Sequence, residues 1–397
     1  MMQPIMITGT GIVSAIGNNM AETLQALLSQ QTGVGPMVHL KTNHREFPVG
    51  EVKMSNDEMK KRLRINEEPT TRTCLMGMLA LREALEDAQL TSEPEPSVAL
   101  VSGTTVGGMD KSEQYYLDYL DNDSRNDYIK THDCGATTEM MARHFGLFTL
   151  TTSISTACSS AANAVILGAN LIRSGVTDIA VVGGSECITK FHLNGFNTLM
   201  ILDNEQCKPF DAHRAGLNLG EGAAYLVLES AASAKRRKVR VQGVLSGYGN
   251  ACDAFHQTAS SDDGEGAYLA MQKALSLAGL HPSDIDYVNA HGTGTPNNDL
   301  SESRALFRVF GEQMPPVSST KGMTGHTTSA SGSVEAAICL LAINHRFLPS
   351  NYGWEQQMEN GITPVAKVEH NHELHHVMCN SFGFGGNDSC LIISRYE

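Results

Sequence analysis

No two of the nine cysteines stand as Cys-x-x-Cys, and their number is odd. Cys74, Cys134, Cys158, Cys187, Cys207, Cys252, Cys339, Cys379 and Cys390 are scattered along the chain, which argues against a disulfide framework or a zinc site and suits free thiols in a reducing cytoplasm. Positive charge is in short supply. With 29 Lys and Arg against 43 Asp and Glu, the formal net charge is -14, which argues against a nucleic-acid backbone as the main partner. An acidic partner would need a local basic patch. No apolar run approaches the roughly eighteen residues of a membrane span; the longest, Ala336 to Ile343, suits a buried helix. Met1 to Ile12 lacks a basic leader, and Thr8, Gly9, Thr10 and Gly11 break its apolar run, so it reads as a first strand and turn rather than a signal peptide. These features together predict a soluble cytoplasmic protein.

What the 397 residues do contain is a weak internal repeat. Leu81 to Leu90, then a spacer and Val98 to Thr104, resembles Met271 to Leu280 followed by Tyr287 to Thr293. In both copies an amphipathic helix leads to a short apolar strand ending in Gly-Thr. The repeat continues with strand, turn and helix around Cys158, matched by Pro316 to Thr320, a glycine-rich turn with Lys321 and His326, and a helix from Ser333 to Asn344. A glycine-bearing strand follows each helix, Asp178 to Gly184 and His376 to Gly386. Two similar α/β halves, residues 1–237 and 238–397, would form stacked layers around buried helices. Corresponding turns would then meet near a pseudo-twofold axis. The join falls at Lys235-Arg236-Arg237-Lys238, which reads as a solvated helix end or, alternatively, a basic patch.

Cys158 lies in Ser155-Thr156-Ala157-Cys158-Ser159-Ser160, a small-residue turn between a strand expected over Phe148 to Ile154 and an apolar helix closing at Arg173-Ser174-Gly175. A thiol at a helix N-terminus meets unpaired N–H groups and the positive end of the dipole, which favour thiolate by roughly 1 to 2 kcal/mol. Such a residue can be a nucleophile; inert packing among small residues is the other reading.

Three further segments carry polar residues in glycine turns: His291-Gly292-Thr293-Gly294-Thr295-Pro296, Lys321-Gly322-Met323-Thr324-Gly325-His326, and Asn380-Ser381-Phe382-Gly383-Phe384-Gly385-Gly386. With Ser-Thr-Ala-Cys-Ser-Ser, in this order and spacing, they closely resemble the β-ketoacyl-acyl-carrier-protein synthases of the elongating Cys-His-His class. The resemblance extends from Ile7-Thr8-Gly9 through Pro209-Phe210-Asp211, Arg214, Gly216 and Gly220-Glu221-Gly222-Ala223 to the C-terminal glycines. It implies a thiolase-like α/β fold whose two halves make five layers, α-β-α-β-α.

The resemblance also implies roles. Cys158 would hold an acyl chain as a thioester, and the backbone N–H groups of Cys158 and Phe384 would form the oxyanion hole. His291 and His326 would donate to the malonyl thioester oxygen as carbon dioxide leaves, Lys321 would orient the His326 region, and Glu302 would organise the site without reacting. Thr293 and Thr295 would bond a pantetheine arm, ordinary turn capping being the alternative. Phe384 would gate the pocket, with Val106 and Phe196 near the acyl chain. No metal and no bound cofactor are implied, since substrates arrive on the phosphopantetheine arm of acyl carrier protein. For that acidic partner, Lys60, Lys61, Arg62, Arg64 and Arg72 form the best basic cluster, which reads equally as a solvated helix face. A homodimer, or a heterodimer with a subunit like a chain-length factor, is expected; nucleic acid and membrane are not.

Two stretches depart from the family pattern. Asn387-Asp388 stands where Thr-Asn is usual, and Lys111 to Lys130 carries four tyrosines and several aspartates where many relatives are apolar. A specialised polyene or polyketide pathway therefore stands beside fatty-acid elongation. A coenzyme A thiolase would use a second cysteine, for which Cys379 and Cys390 lie near the right region, but the Lys-x-x-x-x-His motif ending at His326 favours decarboxylation. An initiating enzyme would have Asn in place of His326, and a chain-length factor would lack Cys158. His370, His372, His375 and His376 are too irregularly spaced for a metal site and read as surface residues.

Overall fold

Ten strands run through one continuous ladder in the computed structural model, which describes residues 4–65, 69–90 and 97–397. Residues 1–3 of the expected first strand and most of the spacer after Leu90 lie outside the described residues. The N-terminal half supplies β1 (Ile5–Ser14), α1 (Met20–Leu28), α2 (Asn56–Leu63), α3 (Arg72–Asp87), β2 (Val98–Gly103), α4 (Met109–Tyr115), α5 (Asp118–Asp121), α6 (Cys134–Phe145), β3 (Leu150–Ile154), α7 (Ser160–Arg173), β4 (Ile179–Glu186), α8 (Lys190–Thr198), β5 (Gly222–Ser230) and α9 (Ala231–Arg237). The rest supplies β6 (Gly243–Cys252), α10 (Glu265–Ala278), β7 (Tyr287–Asn289), α11 (Pro296–Phe310), β8 (Val317–Ser318), α12 (Lys321–Thr324), α13 (Ser331–His345), β9 (Phe347–Leu348), β10 (Glu369–His370), β11 (His376–Gly383) and β12 (Asn387–Ser394). β9 and β10 pair only with each other.

The sheet order is β3-β2-β4-β5-β1-β6-β12-β11-β7-β8. Five strands from residues 5–230 thus lie beside five from residues 243–394, joined where β1 pairs antiparallel with β6. Reading outward from that seam, the two halves run β1-β5-β4-β2-β3 and β6-β12-β11-β7-β8, the same arrangement twice. α3 covers the outer face of one set and α10 the outer face of the other, while α7 and α13 pack together between them. This is the five-layer α-β-α-β-α order. α13 is buried all round from Ser331 to Ile343, as a helix with no solvent face must be, and α7 meets it with a buried face that includes Ala164, Val165 and Ala169, each at most 1% exposed.

Glycines make the outer helices fit. A Cβ on Gly11 of β1 would stand 2.1 Å from the Ala80 carbonyl of α3, and one on Gly249 of β6 would stand 2.1 Å from the Ala270 carbonyl of α10. Gly9 faces Ala84 and Gly247 faces Ala274 in the same way. Each half therefore seats an alanine-lined helix on a Gly-x-Gly strand, a correspondence that the repeat in the sequence does not include.

Local boundaries differ modestly from expectation. β3 begins at Leu150 rather than Phe148, whose ring packs under the outer layer instead. The strand expected over His376 to Gly386 ends at Gly383; Phe384 to Gly386 turn the chain, with Gly385 and Gly386 at φ of +80° and +72°, and it returns as β12. Lys111 to Lys130 forms α4, α5 and a 3-10 turn, and it leaves Tyr116, Leu117, Leu120 and Ile129 exposed.

Candidate active site

Cys158 stands two residues before α7, on a turn that Ala157 closes with φ of +51°. A left-handed alanine costs roughly 1 kcal/mol or more and persists only where its surroundings impose it. Here Thr156 N donates to Ser160 Oγ at 2.9 Å, and Ser160 N donates to Ala157 O at 3.2 Å. Cys158 is 5% exposed. Burial pushes the thiol up to about 11, although positive Lys321 and the Phe384 N–H, which donates to the sulfur, both pull the other way. The expected helix-end preference for thiolate is therefore reversed: a sulfur just outside the first turn gains less from the dipole than it loses to desolvation.

His291 follows β7, and His326 follows α12. Glu302 of α11 accepts from the backbone N–H of both His291 and Gly292 at 2.8 Å, so it fixes the loop and not the imidazole. His326 is held from the other half of the chain: its N–H donates to Asn218 O, and its carbonyl accepts from Gly220 N, both at 2.8 Å. The two rings meet edge to face with centroids 5.2 Å apart, and His326 Nε2 lies 3.2 Å from the Cys158 sulfur. His326 Nδ1 pairs with Ser331 Oγ at 3.0 Å. Burial, then the nearby Lys321 charge, holds both histidines well below their ordinary pKa. Both rings are neutral at pH 7.

Lys321 is fully buried and bonds Glu335 of α13 closely. Burial raises the Glu335 carboxyl to about 7 against the pull of Lys321. The sequence motif contains Lys321 but not its partner, because Glu335 sits inside an otherwise apolar helix with no pattern to mark it.

A cavity of about 320 Å³ opens on Cys158, His291 and His326, with Phe382, Phe384, Thr293 and Thr295 also on its wall. The two threonine hydroxyls bond each other at 2.9 Å. Phe384 stacks on Phe196 with centroids 5.7 Å apart. Val106 is not part of this wall. It packs among the residues under α3, and its N–H donates to Glu186 at 3.1 Å. Glu186, which sequence reasoning missed, also accepts from Thr104, Thr105 and Ser329, tying the loop after β2 to the second half. Asp299, equally unmarked, receives Phe210 N and Gly294 N. Cys379 and Cys390 are core residues away from the cavity.

Of the expected basic cluster, Lys61, Arg62 and Arg64 are exposed along α2 and its C-cap, and Lys60 is half-buried. Arg72 does not belong with them. Its guanidinium is buried against Glu221 and also bonds Met54 O, Val52 O and Asn56, which leaves nothing to offer a partner. The five cations split because Arg72 begins α3 and faces inward. Among the described residues no cluster of His, Cys, Asp and Glu could hold a metal, and no helix is long and apolar enough to cross a membrane.

A duplicated five-layer fold with a thiol and two neutral imidazoles at the seam defines a condensing acyltransferase. The beta-ketoacyl synthase N-terminal domain matches residues 2–234 and the C-terminal domain residues 242–355. The chain belongs to the β-ketoacyl synthase family. It is 31% identical to the 3-oxoacyl-[acyl-carrier-protein] synthase 2 of Staphylococcus aureus (strain COL), over 99% of this chain and 98% of that one. The Vibrio cholerae enzyme of the same name is also 31% identical, over 98% and 99%. Among solved structures, the ishigamide ketosynthase/chain length factor superposes with a TM-score of 0.93 at 30% identity over the full length of both chains. A ketosynthase from Xenorhabdus doucetiae, solved in complex with its chain length factor, gives 0.86 at 30% identity, covering 99% of this chain and 98% of that one.

Proposed function

We propose that the chain condenses an acyl group held on Cys158 with malonyl-acyl carrier protein, releasing carbon dioxide and giving β-ketoacyl-acyl carrier protein in fatty-acid or polyketide elongation. The observation that carries this reading is the 3.2 Å approach of a neutral imidazole to a buried thiol. A thiol with a pKa near 11 is a poor nucleophile by itself, so His326 Nε2 takes its proton as the sulfur attacks the incoming thioester and returns it to the departing pantetheine sulfur. The Cys158 and Phe384 N–H groups receive the oxyanion.

In the second half-reaction the malonyl thioester oxygen takes up the electron pair of the breaking C–C bond. His291 and His326 stabilise it as N–H donors; the Ser331 hydroxyl can accept from or donate to His326 Nδ1, so it permits the tautomer each step needs. The carbanion then attacks the acyl-Cys158 carbonyl and expels the cysteine sulfur, which recovers a proton. Glu302 and Lys321 act through the residues they hold, and Thr293 and Thr295 bond the pantetheine arm. Lys60, Lys61, Arg62 and Arg64 receive the carrier protein. No metal or bound cofactor takes part, and the scattered free thiols suit work in the cytoplasm.

Similarity to ketosynthases solved with chain length factors supports a second reading, a specialised polyketide pathway using a partner subunit. Mass spectrometry of Cys158 after exposure to mixed acyl carrier proteins tests both. The wild-type peptide should gain an acyl mass whose length separates the pathways, and Cys158→Ala should gain none while still releasing carbon dioxide from malonyl carrier protein. Condensation by Cys158→Ala would refute the nucleophile.

A further inference from the structure

Three asparagines meet behind the reacting sulfur, and none has a part in the chemistry above. Asn163, in the first turn of α7, donates from Nδ2 to Thr156 Oγ1 at 2.8 Å and to Asn387 Oδ1 at 2.9 Å, with a longer contact to Ser159 Oγ at 3.3 Å. Its Oδ1 accepts from Asn250 Nδ2 at 2.9 Å and Ser389 Oγ at 3.0 Å. Asn387 Oδ1 in turn collects Ser159 Oγ and Asn250 Nδ2, each at 3.0 Å. The residues come from α7 and the turn before it, from β6 and from β12, so the network spans the seam between the halves. It also explains the departure at position 387: a side-chain carbonyl there can face three donors at once, where a threonine hydroxyl must also place its own proton.

The two ends of the network matter. Thr156 immediately precedes the Ala157-Cys158 turn, whose left-handed alanine needs outside support. Asn387 immediately follows Phe384-Gly385-Gly386, a turn made by two glycines at positive φ and bonded to the segment after β6 through Gly385 N to Gln257 O and Asp253 N to Gly386 O, both at 2.8 Å. Gly383 lies so close to the nucleophile turn that a Cβ on it would be 3.2 Å from Cys158 N. The N–H groups of Cys158 and Phe384 therefore belong to two separate turns, one after β3 and one after β11, and the asparagine amides add side-chain hydrogen bonds that join one to the other.

We propose that Asn163, with Asn387 and Asn250, is a positioning residue that sets the separation of the two oxyanion-hole N–H groups. This rests on the condensing-enzyme reading. In the test, Asn163→Ala, Asn387→Ala and the double variant are compared in single-turnover acylation of Cys158 and in carbon dioxide release from malonyl carrier protein. The second assay uses the histidines and not the N–H pair, and it reports folding at the same time. Each single substitution should slow acylation by about 10- to 100-fold, the scale of an ångström-level misplacement, with KM and carbon dioxide release within about twofold of wild type. The double variant should be little slower than the worse single one, since both cut one connection. Acylation by Asn163→Ala within about twofold of wild type, additive losses in the double variant, or parallel loss of both activities would each overturn the proposal. A wild-type chain inert in both assays would instead overturn the reading beneath it.

Discussion

His326 Nε2 lies 3.2 Å from the Cys158 sulfur, although 168 residues separate the two in sequence. The relationship makes the thiol's reactivity a property of a pair. Burial keeps the proton on sulfur, and burial with the Lys321 charge keeps His326 neutral and able to receive it.

Alkylation of Cys158 by iodoacetamide should therefore rise about tenfold per pH unit from pH 7 to beyond 9, following the thiolate fraction without a plateau. Peptide mass spectrometry separates it from exposed Cys252. A plateau near pH 7 would mean that the helix end outweighs desolvation after all.

Lys321→Ala should cost about 3 to 5 kcal/mol in urea unfolding, because it strands the buried Glu335 carboxyl, one of whose oxygens already lacks a partner. Replacing both, as Lys321→Met with Glu335→Gln, should restore most of that stability while malonyl decarboxylation stays slow. A double variant as unstable as the single would show that the pairing is not the source of the loss.

Charge reversal at Lys61 and Arg64 should raise KM for carrier-protein substrates by about 3- to 10-fold and leave small thioesters unaffected, as for charges that steer encounter. Arg72→Ala should behave differently, lowering the unfolding midpoint, since Glu221 would lose its buried counter-ion. Equal KM effects on both substrate types would remove the docking role.

Asp388 is 4% exposed, and burial together with Asp253 and Glu302 raises its carboxyl from 3.8 to about 8. Between those values the folded chain holds a proton the unfolded chain has released, so this residue's contribution is intact below about pH 4 and is lost as the pH climbs through 8. Asp388→Asn should accordingly raise the Tm by a few degrees at pH 8 and by nothing near pH 4. An equal shift at both would assign the effect to packing.

His291, Lys321, His326 and Phe384 stand out in the sequence because each lies in a glycine-marked turn, and Cys158 because a small-residue turn precedes an apolar helix, patterns that need no knowledge of packing. The repeat was readable for the same reason, and the sheet order doubles accordingly. What supports those groups was not. Glu335 and Glu186 are single carboxylates outside any motif, and their importance comes from partners 14 and up to 143 residues away. Arg72 was grouped with the surface cations because sequence neighbourhood says nothing about which face of a helix points inward, and Val106, expected near the acyl chain from the resemblance, does not line this cavity.

The β1–β6 seam also divides the chemistry between two stretches of polypeptide, sulfur on one side and both imidazoles on the other. A protease nick near Lys238, where the backbone takes a left-handed turn after α9, would leave two fragments, neither holding a complete set of reactive groups. Any turnover in such a digest would measure their reassociation.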